Sequence, residues 1–254
     1  MSKRHSRDHT EPERVRRVSV FVPAYNEAEN LEAALRDIVG AAEVALVDYE
    51  VIVVNDGSSD GTGQVGERLA QENSRIRVVH QARNLGIAAA YERALDEAKL
   101  EYFAFLPGDG EIARESIQNI LAAVGTADVV VPYHGNSRAR QLHRRLLTWT
   151  STTLVNTLFG LRLRYYQGPC IYQTRLARRL PKTAGGFYFL TEMLVHALWA
   201  GYSYVEVPLI HQDRVHGRSK AASTRNVLRA LRAIGILWWS IHIRHVSFDL
   251  GGLT

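Results

Sequence analysis

Residues 51–62, VIVVNDGSSDGT, decide the fold class of this chain. A run of β-branched apolar residues stops at Asn55 and Asp56, and small polar residues follow. Such a run, bounded by Gly, Ser and Asp, is typical of a strand buried on both faces of a parallel sheet. Ligands of open α/β sheets bind beyond the carboxyl ends of the strands. We therefore expect Asp56 at a binding face, although a plain strand and turn would give the same pattern.

The composition fits one α/β domain with additions, or two small domains. The chain has 254 residues, 46% of them hydrophobic, so it can bury a sizeable core. The single cysteine, Cys170, cannot form an internal disulfide, so nothing here requires an oxidising compartment. The net charge of +5 suits an acidic partner such as a phosphate, an anionic membrane surface or a nucleic acid.

The amino-terminal segment, residues 1–16, is charged and lacks an apolar core. It predicts a disordered basic arm rather than a secretory signal. No stretch of the sequence reaches the roughly 18 apolar residues of a membrane span. These features predict a protein on the cytoplasmic side, either free or attached peripherally to the inner face of the membrane.

Strands and helices alternate along the first half of the chain. Apolar strands are predicted at 18–22, 49–54, 76–79, 102–106 and 128–132, with helical patterns between them. This alternation, with short loops, favours a mostly parallel sheet with helices on both faces. Pro23 is expected to end the first strand, and Asn26 to cap the first helix.

The second half of the chain is less regular. The predicted elements are a helix at 138–160 with a basic start, a strand at 165–172, a helix at 189–200, a strand at 202–207, a polar loop at 211–223 and a helix at 224–245. We expect residues 17–222 to form one domain. Residues 223–254 then form an amphipathic helix and a tail.

Two other ligand classes are disfavoured. Residues 61–66 and 108–113 resemble a dinucleotide-binding fingerprint, but that pattern begins directly after the first strand and needs an acid about 20 positions later. Six residues separate the second strand from Gly61, and no acid follows the third strand. A nucleic-acid partner is disfavoured because interleaved aromatic residues and a basic stripe are missing from the sequence.

Polar segments follow four of the predicted strands, namely Pro23-Ala24-Tyr25-Asn26-Glu27, Asp56-Gly57-Ser58-Ser59-Asp60, Arg83-Asn84-Leu85-Gly86 and Asp109-Gly110-Glu111. With Arg214-Val215-His216-Gly217-Arg218-Ser219-Lys220, they resemble the family 2 glycosyltransferases of the GT-A fold. The branch most similar is that of dolichyl-phosphate mannosyltransferase and the bacterial polyprenyl-phosphate glycosyltransferases. The resemblance covers residues 18–220 and implies a Rossmann-like α/β domain that is catalytic.

The resemblance implies a donor site for a nucleotide-sugar. Its matching residues are Pro23, Tyr25, Glu27, Asp56, Arg83, Asp109, Arg214, Ser219 and Lys220. Asp56 would hold the base or the ribose, and Asn55 stands where the family has a first acid. The segment 214–220 would close over the diphosphate, and a solvated charged loop is the alternative interpretation. A UDP-sugar is the favoured donor, and GDP-mannose is the alternative.

A divalent metal, Mg²⁺ or Mn²⁺, is also implied on the donor diphosphate. Asp109 matches the last aspartate of the family's D-x-D motif, and Glu111 could complete the site. Pro107 stands where the motif has its first aspartate, which weakens the metal prediction. Arg214 and Lys220 could neutralise the diphosphate instead. Helix capping would explain Asp109, and a contact with the helix dipole would explain Glu111.

The resemblance also assigns a residue to the acceptor side of the site. Glu192 matches an acidic residue that lies near the acceptor in the family. A hydroxyl acceptor needs a base, whereas a phosphate is already ionised. Glu192 is either that base or an exposed helical acid, and His196 is treated as a packing residue. The predicted catalytic residues are Asp109, Glu192, Arg214 and Lys220.

The predicted activity is inverting sugar transfer to a polyprenyl phosphate. A hydroxyl of a soluble small molecule is the alternative acceptor. A non-catalytic nucleotide-sugar-binding protein is the alternative outside the enzymes.

The last helix has the composition of a membrane-interface helix. Basic residues, Arg225, Arg229 and Arg232, precede an apolar run at 234–243 that contains two tryptophans. The run is too short to span a bilayer but suits peripheral contact. Core packing or a homodimer seam would explain it equally well. The basic segment 138–145 is either a site for a lipid phosphate or a solvated face.

Overall fold

A seven-stranded sheet forms the centre of the protein, in a computed structural model that describes residues 16–135, 142–210 and 224–243. The strands are β1 (Arg17–Ala24), β2 (Asp48–Asn55), β3 (Ile76–His80), β4 (Tyr102–Phe105), β5 (Val129–His134), β6 (Ile171–Gln173) and β7 (Tyr204–Leu209). Their order across the sheet is β3-β2-β1-β4-β6-β5-β7. Strands β3, β2, β1 and β4 pair in parallel, as do β5 and β7, and β6 is antiparallel to both its neighbours. The predicted mostly parallel sheet is confirmed.

Helices cover both faces of the sheet. They are α1 (Leu31–Ala45), α2 (Thr62–Glu72), α3 (Ile87–Glu97), α4 (Arg114–Ala122), α5 (Leu142–Phe159), α6 (Thr174–Arg179), α7 (Tyr188–Trp199) and α8 (Thr224–His242). Because successive strand residues point to opposite faces, Val20 packs under α1, α2 and α4, and Phe21 packs under the other helices. This three-layer arrangement confirms the predicted fold class. Within the described ranges, no helix is long and apolar enough to cross a membrane.

The first strand runs further than predicted. β1 continues through Pro23 to Ala24. The carbonyl of Phe21 accepts a hydrogen bond from the Leu106 N–H of the β4 chain at 2.9 Å. The backbone nitrogen of Pro23, two residues further along β1, faces the same side of the strand as the Phe21 carbonyl. At that point β4 has already ended, since its pairing with β1 stops at Phe21. The missing amide hydrogen of Pro23 therefore costs no ladder bond, and the prediction that this proline ends the strand was wrong.

The first helix begins later than predicted. α1 starts at Leu31 with Asn30 at the N-cap position, so Asn26 does not cap it. Asn26 has a φ of 55°, which asparagine tolerates better than most residues. Its side chain bonds instead to the loop after β2, because that loop presents a backbone N–H within reach.

The second half of the domain contains the larger differences. The strand predicted at 165–172 is reduced to the three residues of β6, and the following residues form α6, which was not predicted. Strand β6 reverses direction between β4 and β5. The predicted arm, the first residues of the basic segment and the loop at 211–223 lie outside the described residues.

The last helix packs on the domain. Ile234, Leu237 and Ile241 of α8 are buried in the same core as α7. Core packing therefore explains one face of α8. The division of the chain at residue 222, and the homodimer, stay predictions.

Candidate active site

A cleft of about 1630 Å³ lies at the carboxyl ends of the parallel strands. It is lined by the loops after β1, β2 and β4, the loop before α3, the end of β5, the segment 181–192 and one face of α8. This is the edge at which open α/β sheets bind ligands. The volume exceeds the roughly 300–1,000 Å³ of ordinary small-molecule pockets. The cleft therefore has room for two substrates side by side.

Asp56 joins the carboxyl ends of three strands. Its backbone N–H donates to the Ala24 carbonyl at the end of β1, at 3.0 Å. Its buried carboxylate accepts hydrogen bonds from Leu85 N–H at 2.7 Å and Gly86 N–H at 2.9 Å, in the loop between β3 and α3. A carboxylate has about four acceptor positions. Asp56 can therefore hold this loop and still accept a bond from a ligand in the cleft.

Gly57 allows the same loop to lie against β2. It has a φ of 65°, and a Cβ at this position would lie 2.3 Å from the carbonyl carbon of Arg83 and 2.5 Å from the Asn84 nitrogen. Those atoms are backbone and cannot move aside easily. Only glycine fits, for both its conformation and its lack of a side chain.

The loops after β1 and β2 are bonded to each other. Asn26 N–H donates to Ser58 Oγ at 3.0 Å, and Asn26 Oδ1 accepts from Ser59 N–H at 2.9 Å. Glu27 N–H donates to Thr62 Oγ1 at 2.8 Å. Because these loops carry the residues matched to the donor site, the bonds fix one wall of the cleft before any ligand binds.

The structure brings together five of the predicted donor residues along the cleft, namely Pro23, Tyr25, Glu27, Asp56 and Asp109. Tyr25 is 48% exposed, so its ring is accessible to a planar base. Arg83 is exposed and is not among the described residues that line the cleft, whereas its neighbour Asn84 is. The predicted residues Arg214, Ser219 and Lys220 lie outside the described part of the chain.

Asp109 and Glu111 both line the cleft beyond β4. Asp109 Oδ1 accepts a hydrogen bond from Glu111 N–H at 3.1 Å. Ala113, not Asp109, holds the N-cap position of α4, so capping does not explain the aspartate. Pro107 lines the same wall and offers no ligand.

A divalent metal fits these two carboxylates only as a site shared with the donor. No group of three or more His, Cys, Asp or Glu side chains suited to a metal occurs among the described residues. Mg²⁺ and Mn²⁺ prefer oxygen ligands and can take the remainder from a diphosphate and water. Asp109 and Glu111 are oxygen donors of the right kind for such a site.

Glu192 is only 8% exposed, so the alternative of an exposed helical acid is wrong. It lies on α7, and its carboxylate reaches back to the segment before that helix. Glu192 Oε2 accepts from Thr183 N–H at 2.7 Å and Ala184 N–H at 2.9 Å, and Oε1 accepts from the Thr183 hydroxyl at 2.5 Å. Glu192 therefore lines the cleft, and its carboxylate also accepts hydrogen bonds from Thr183 and Ala184 in the wall of the cleft.

Sequence reasoning missed other lining residues. His196, one turn beyond Glu192, is buried at the cleft. Burial lowers the pKa of His196, while the nearby Glu192 carboxylate opposes that shift, so the ring is neutral near pH 7. On α8, Arg232, Ile236 and Leu237 also line the cleft. Arg232 and Ile236 are four residues apart, a spacing that places two residues on one face of a helix, and this spacing was the signal in the sequence for their shared face.

A family model described as glycosyl transferase family 2 matches residues 19–183, which is more than half of the chain. The chain belongs to this family. The predicted enzyme class is therefore confirmed, and the cleft is the expected place for its reaction.

Two relatives of this family 2 glycosyltransferase carry related names. Polyprenol monophosphomannose synthase of Mycolicibacterium smegmatis is 30% identical over 228 residues, covering 85% of this chain and 84% of the relative. Undecaprenyl-phosphate mannosyltransferase of Micrococcus luteus is 27% identical over 215 residues, covering 80% of this chain and 87% of the relative. The alignments extend over nearly the whole length of both proteins.

A solved structure agrees with the fold of this family 2 glycosyltransferase. Glucosyl-3-phosphoglycerate synthase from Mycobacterium tuberculosis, in complex with Mn²⁺, UDP and phosphoglyceric acid, superposes with a TM-score of 0.65. It is 19% identical, and the match covers 86% of this chain and 78% of that chain. This likeness confirms the GT-A architecture.

Gly57→Ala is expected to destabilise the protein more than an alanine substitution at a glycine with open space around it. The alanine methyl would meet the backbone of residues 83 and 84, in addition to the cost of a positive φ. We expect a loss of about 3 kcal/mol or more in the free energy of unfolding, measured by urea denaturation.

The matched control is Gly160→Ala, because Gly160 has the same φ of 65° but no atom in the described part of the chain lies within 4 Å of a Cβ built there. This control should lose only about 1–2 kcal/mol. Equal losses in the two variants would show that the close approach of the loop to Gly57 does not matter.

Proposed function

We propose that this enzyme transfers a sugar from a nucleotide-sugar donor to a polyprenyl phosphate. One observation carries the proposal. The cleft that contains the matched donor residues continues along α8 onto an exposed apolar stripe that begins with a cation. The names of the two relatives, which refer to polyprenol and undecaprenyl phosphate, support the same acceptor.

The donor occupies the wall made by the loops after β1 and β2. Tyr25 offers an accessible ring to the base, and Asp56 offers a carboxylate already oriented by two backbone N–H groups. Pre-oriented groups lose little freedom on binding, which favours affinity. Both relatives are named for mannose, so GDP-mannose is tested first and UDP-sugars, favoured by the sequence alone, second.

The charge of the cleft favours a donor accompanied by cations. Its described lining has one arginine, Arg232, and seven carboxylates, those of Glu27, Glu29, Asp56, Asp60, Asp109, Glu111 and Glu192. A diphosphate would be repelled by these carboxylates unless positive charge came with it. A bound Mg²⁺ or Mn²⁺ would supply that charge against the leaving diphosphate. Asp109 and Glu111 are the residues that would hold it.

The transfer is a single displacement. An oxygen of the acceptor phosphate forms a bond to the anomeric carbon, and the bond from that carbon to the donor diphosphate breaks. The electron pair of the broken bond leaves with the nucleoside diphosphate. In-line attack inverts the configuration of the sugar. The acceptor phosphate is already ionised, with a second pKa near 6, so this step needs no protein base.

The acceptor lies along α8. Exposed residues recur on one face of this helix at Arg232, Ile236, Trp239 and Ile243, which we call the α8 stripe. Arg232 and Ile236 line the cleft, and Trp239 and Ile243 continue beyond it. A guanidinium suits a phosphate, and an apolar row suits an isoprenoid chain. Because the opposite face of α8 is buried, the stripe faces outward, where it can contact a membrane peripherally.

Asp109→Asn is expected to lower transfer at least about 100-fold, because it removes charge from the residue that would hold the metal. The assay follows labelled sugar from GDP-mannose or a UDP-sugar into polyprenyl phosphate with Mn²⁺. The control is Glu115→Gln, an exposed carboxylate at the start of α4 outside the cleft. Full activity of Asp109→Asn would remove this residue from the mechanism, and transfer only to soluble hydroxyls would refute the lipid acceptor.

Trp239→Ser is expected to weaken binding to vesicles of phosphatidylcholine and phosphatidylglycerol about five- to tenfold. Trp239 is 53% exposed, and an interfacial tryptophan contributes on the order of 1 kcal/mol or more through its buried ring. Sedimentation with vesicles gives the measurement. The control is Val47→Ser, an apolar residue that is 70% exposed, before β2 and at the opposite end of the strands from the cleft. Equal binding of both variants would contradict membrane contact through the α8 stripe.

A further inference from the structure

The segment of residues 183–187, which we call the lip, forms part of the cleft wall between α6 and α7. All of its residues line the cleft. Its tip has open space around it, because a Cβ at Gly185 or Gly186 would meet no atom of the described residues within 4 Å. Gly186 has a φ of 63°, and the side chain of Phe187 is exposed. The tip therefore makes few packing contacts with the described residues.

The root of the lip is held firmly from both sides. On one side, Lys182 Nζ donates to the carbonyls of Ala177 at 2.9 Å and Leu180 at 2.6 Å, at the end of α6. On the other side, the buried Glu192 carboxylate accepts both backbone N–H groups of Thr183 and Ala184, together with the Thr183 hydroxyl. Hydrogen bonds to a charged acceptor are the stronger kind, and a buried carboxylate is costly without them.

These bonds take three of the roughly four acceptor positions of the Glu192 carboxylate. A general base must turn a free acceptor position toward the proton that it removes. Here both oxygens already face the lip, and the phosphate acceptor of the proposed reaction needs no base. The proposed reaction therefore does not use Glu192 as a base, and the role of this residue is a different one.

We propose that Glu192 is a positioning residue, whose carboxylate fixes the root of the lip and thereby the shape of the acceptor side of the cleft. With the end of β5 and residues 165–169, the lip and α8 form the part of the wall that remains after the loops after β1, β2 and β4 and the loop before α3 are assigned to the donor. Displacing the root would move Phe187 and the glycine tip relative to the acceptor. This inference rests on the proposed function for its kinetic test but not for its structural one.

Glu192→Gln separates this role from that of a base. The glutamine oxygen can accept both backbone N–H groups, and its NH₂ can donate to the Thr183 hydroxyl, which is able to accept. A positioning role predicts less than about threefold loss in kcat/KM, with the pH profile of the wild type. A base predicts a loss of about 10² to 10⁴ in kcat. A loss of that size in Glu192→Gln would overturn the proposal.

Glu192→Ala removes the clamp altogether. It is expected to raise the KM for polyprenyl phosphate at least about tenfold, with the KM for the donor changed less than about twofold. A change confined to kcat, or an equal change in both KM values, would contradict a role on the acceptor side. If the alanine variant does not fold, Glu192→Gln still decides between the two roles.

Hydrogen exchange tests the clamp without any activity. The amides of Thr183 and Ala184 should exchange slowly in the wild type and in Glu192→Gln, and at least about tenfold faster in Glu192→Ala. Fast exchange in the wild type would refute the clamp itself. Slow exchange in a wild type that transfers no sugar would instead refute the proposed function and leave the clamp standing.

Discussion

The rest of the cleft depends on the hydrogen bonds that the Asp56 carboxylate accepts from Leu85 and Gly86. They join the loop before α3 to the end of β2, while the Asp56 N–H joins β2 to β1. Each bond to a charged acceptor contributes about 1.5–3 kcal/mol. A buried carboxylate without such partners would be strongly destabilising. Asp56 therefore joins the ends of β1 and β2 to the loop before α3, and its carboxylate also lines the cleft.

The same solution recurs at Glu192, on the other side of the cleft. There too a buried carboxylate accepts two backbone N–H groups from an otherwise loosely packed segment. Loops that bind ligands need backbone groups satisfied without regular secondary structure. Acidic side chains delivered by a strand and a helix meet that need at both walls. The result is a concentration of carboxylates in the described lining of the cleft.

The sheet was predictable because buried parallel strands carry continuous β-branched residues, as in 51–54, and because helical patterns separate them. Pro23 was misjudged because local rules ignore where the neighbouring strand ends, and Asn26 because they ignore the loop after β2 to which its side chain bonds. β6 has three residues, too few for a periodic pattern to show, and its reversed direction depends on tertiary packing. The donor residues predicted around the ends of the first two strands were singled out by the family resemblance, and they line the cleft because the carboxyl ends of parallel strands meet at one edge of the sheet.

The partners of the acidic residues could not be predicted. Leu85 and Gly86 lie 29 and 30 residues beyond Asp56, and they contribute only backbone atoms, which leave no trace in side-chain identity. The contact of α8 with the cleft likewise depends on packing against α5 and α7. Glu192 was singled out by resemblance, but its bonds to the lip are visible only in the folded chain.

Calorimetric titration of the wild-type protein with GDP-mannose, and in parallel with UDP-sugars, tests the central claim most directly. We predict saturable binding of a nucleotide-sugar in the presence of Mn²⁺, weakened at least about tenfold by a chelator, because a cation beside the diphosphate would offset the carboxylates of the cleft. If no nucleotide-sugar binds with either Mn²⁺ or Mg²⁺, the cleft is not a donor site and the account is contradicted.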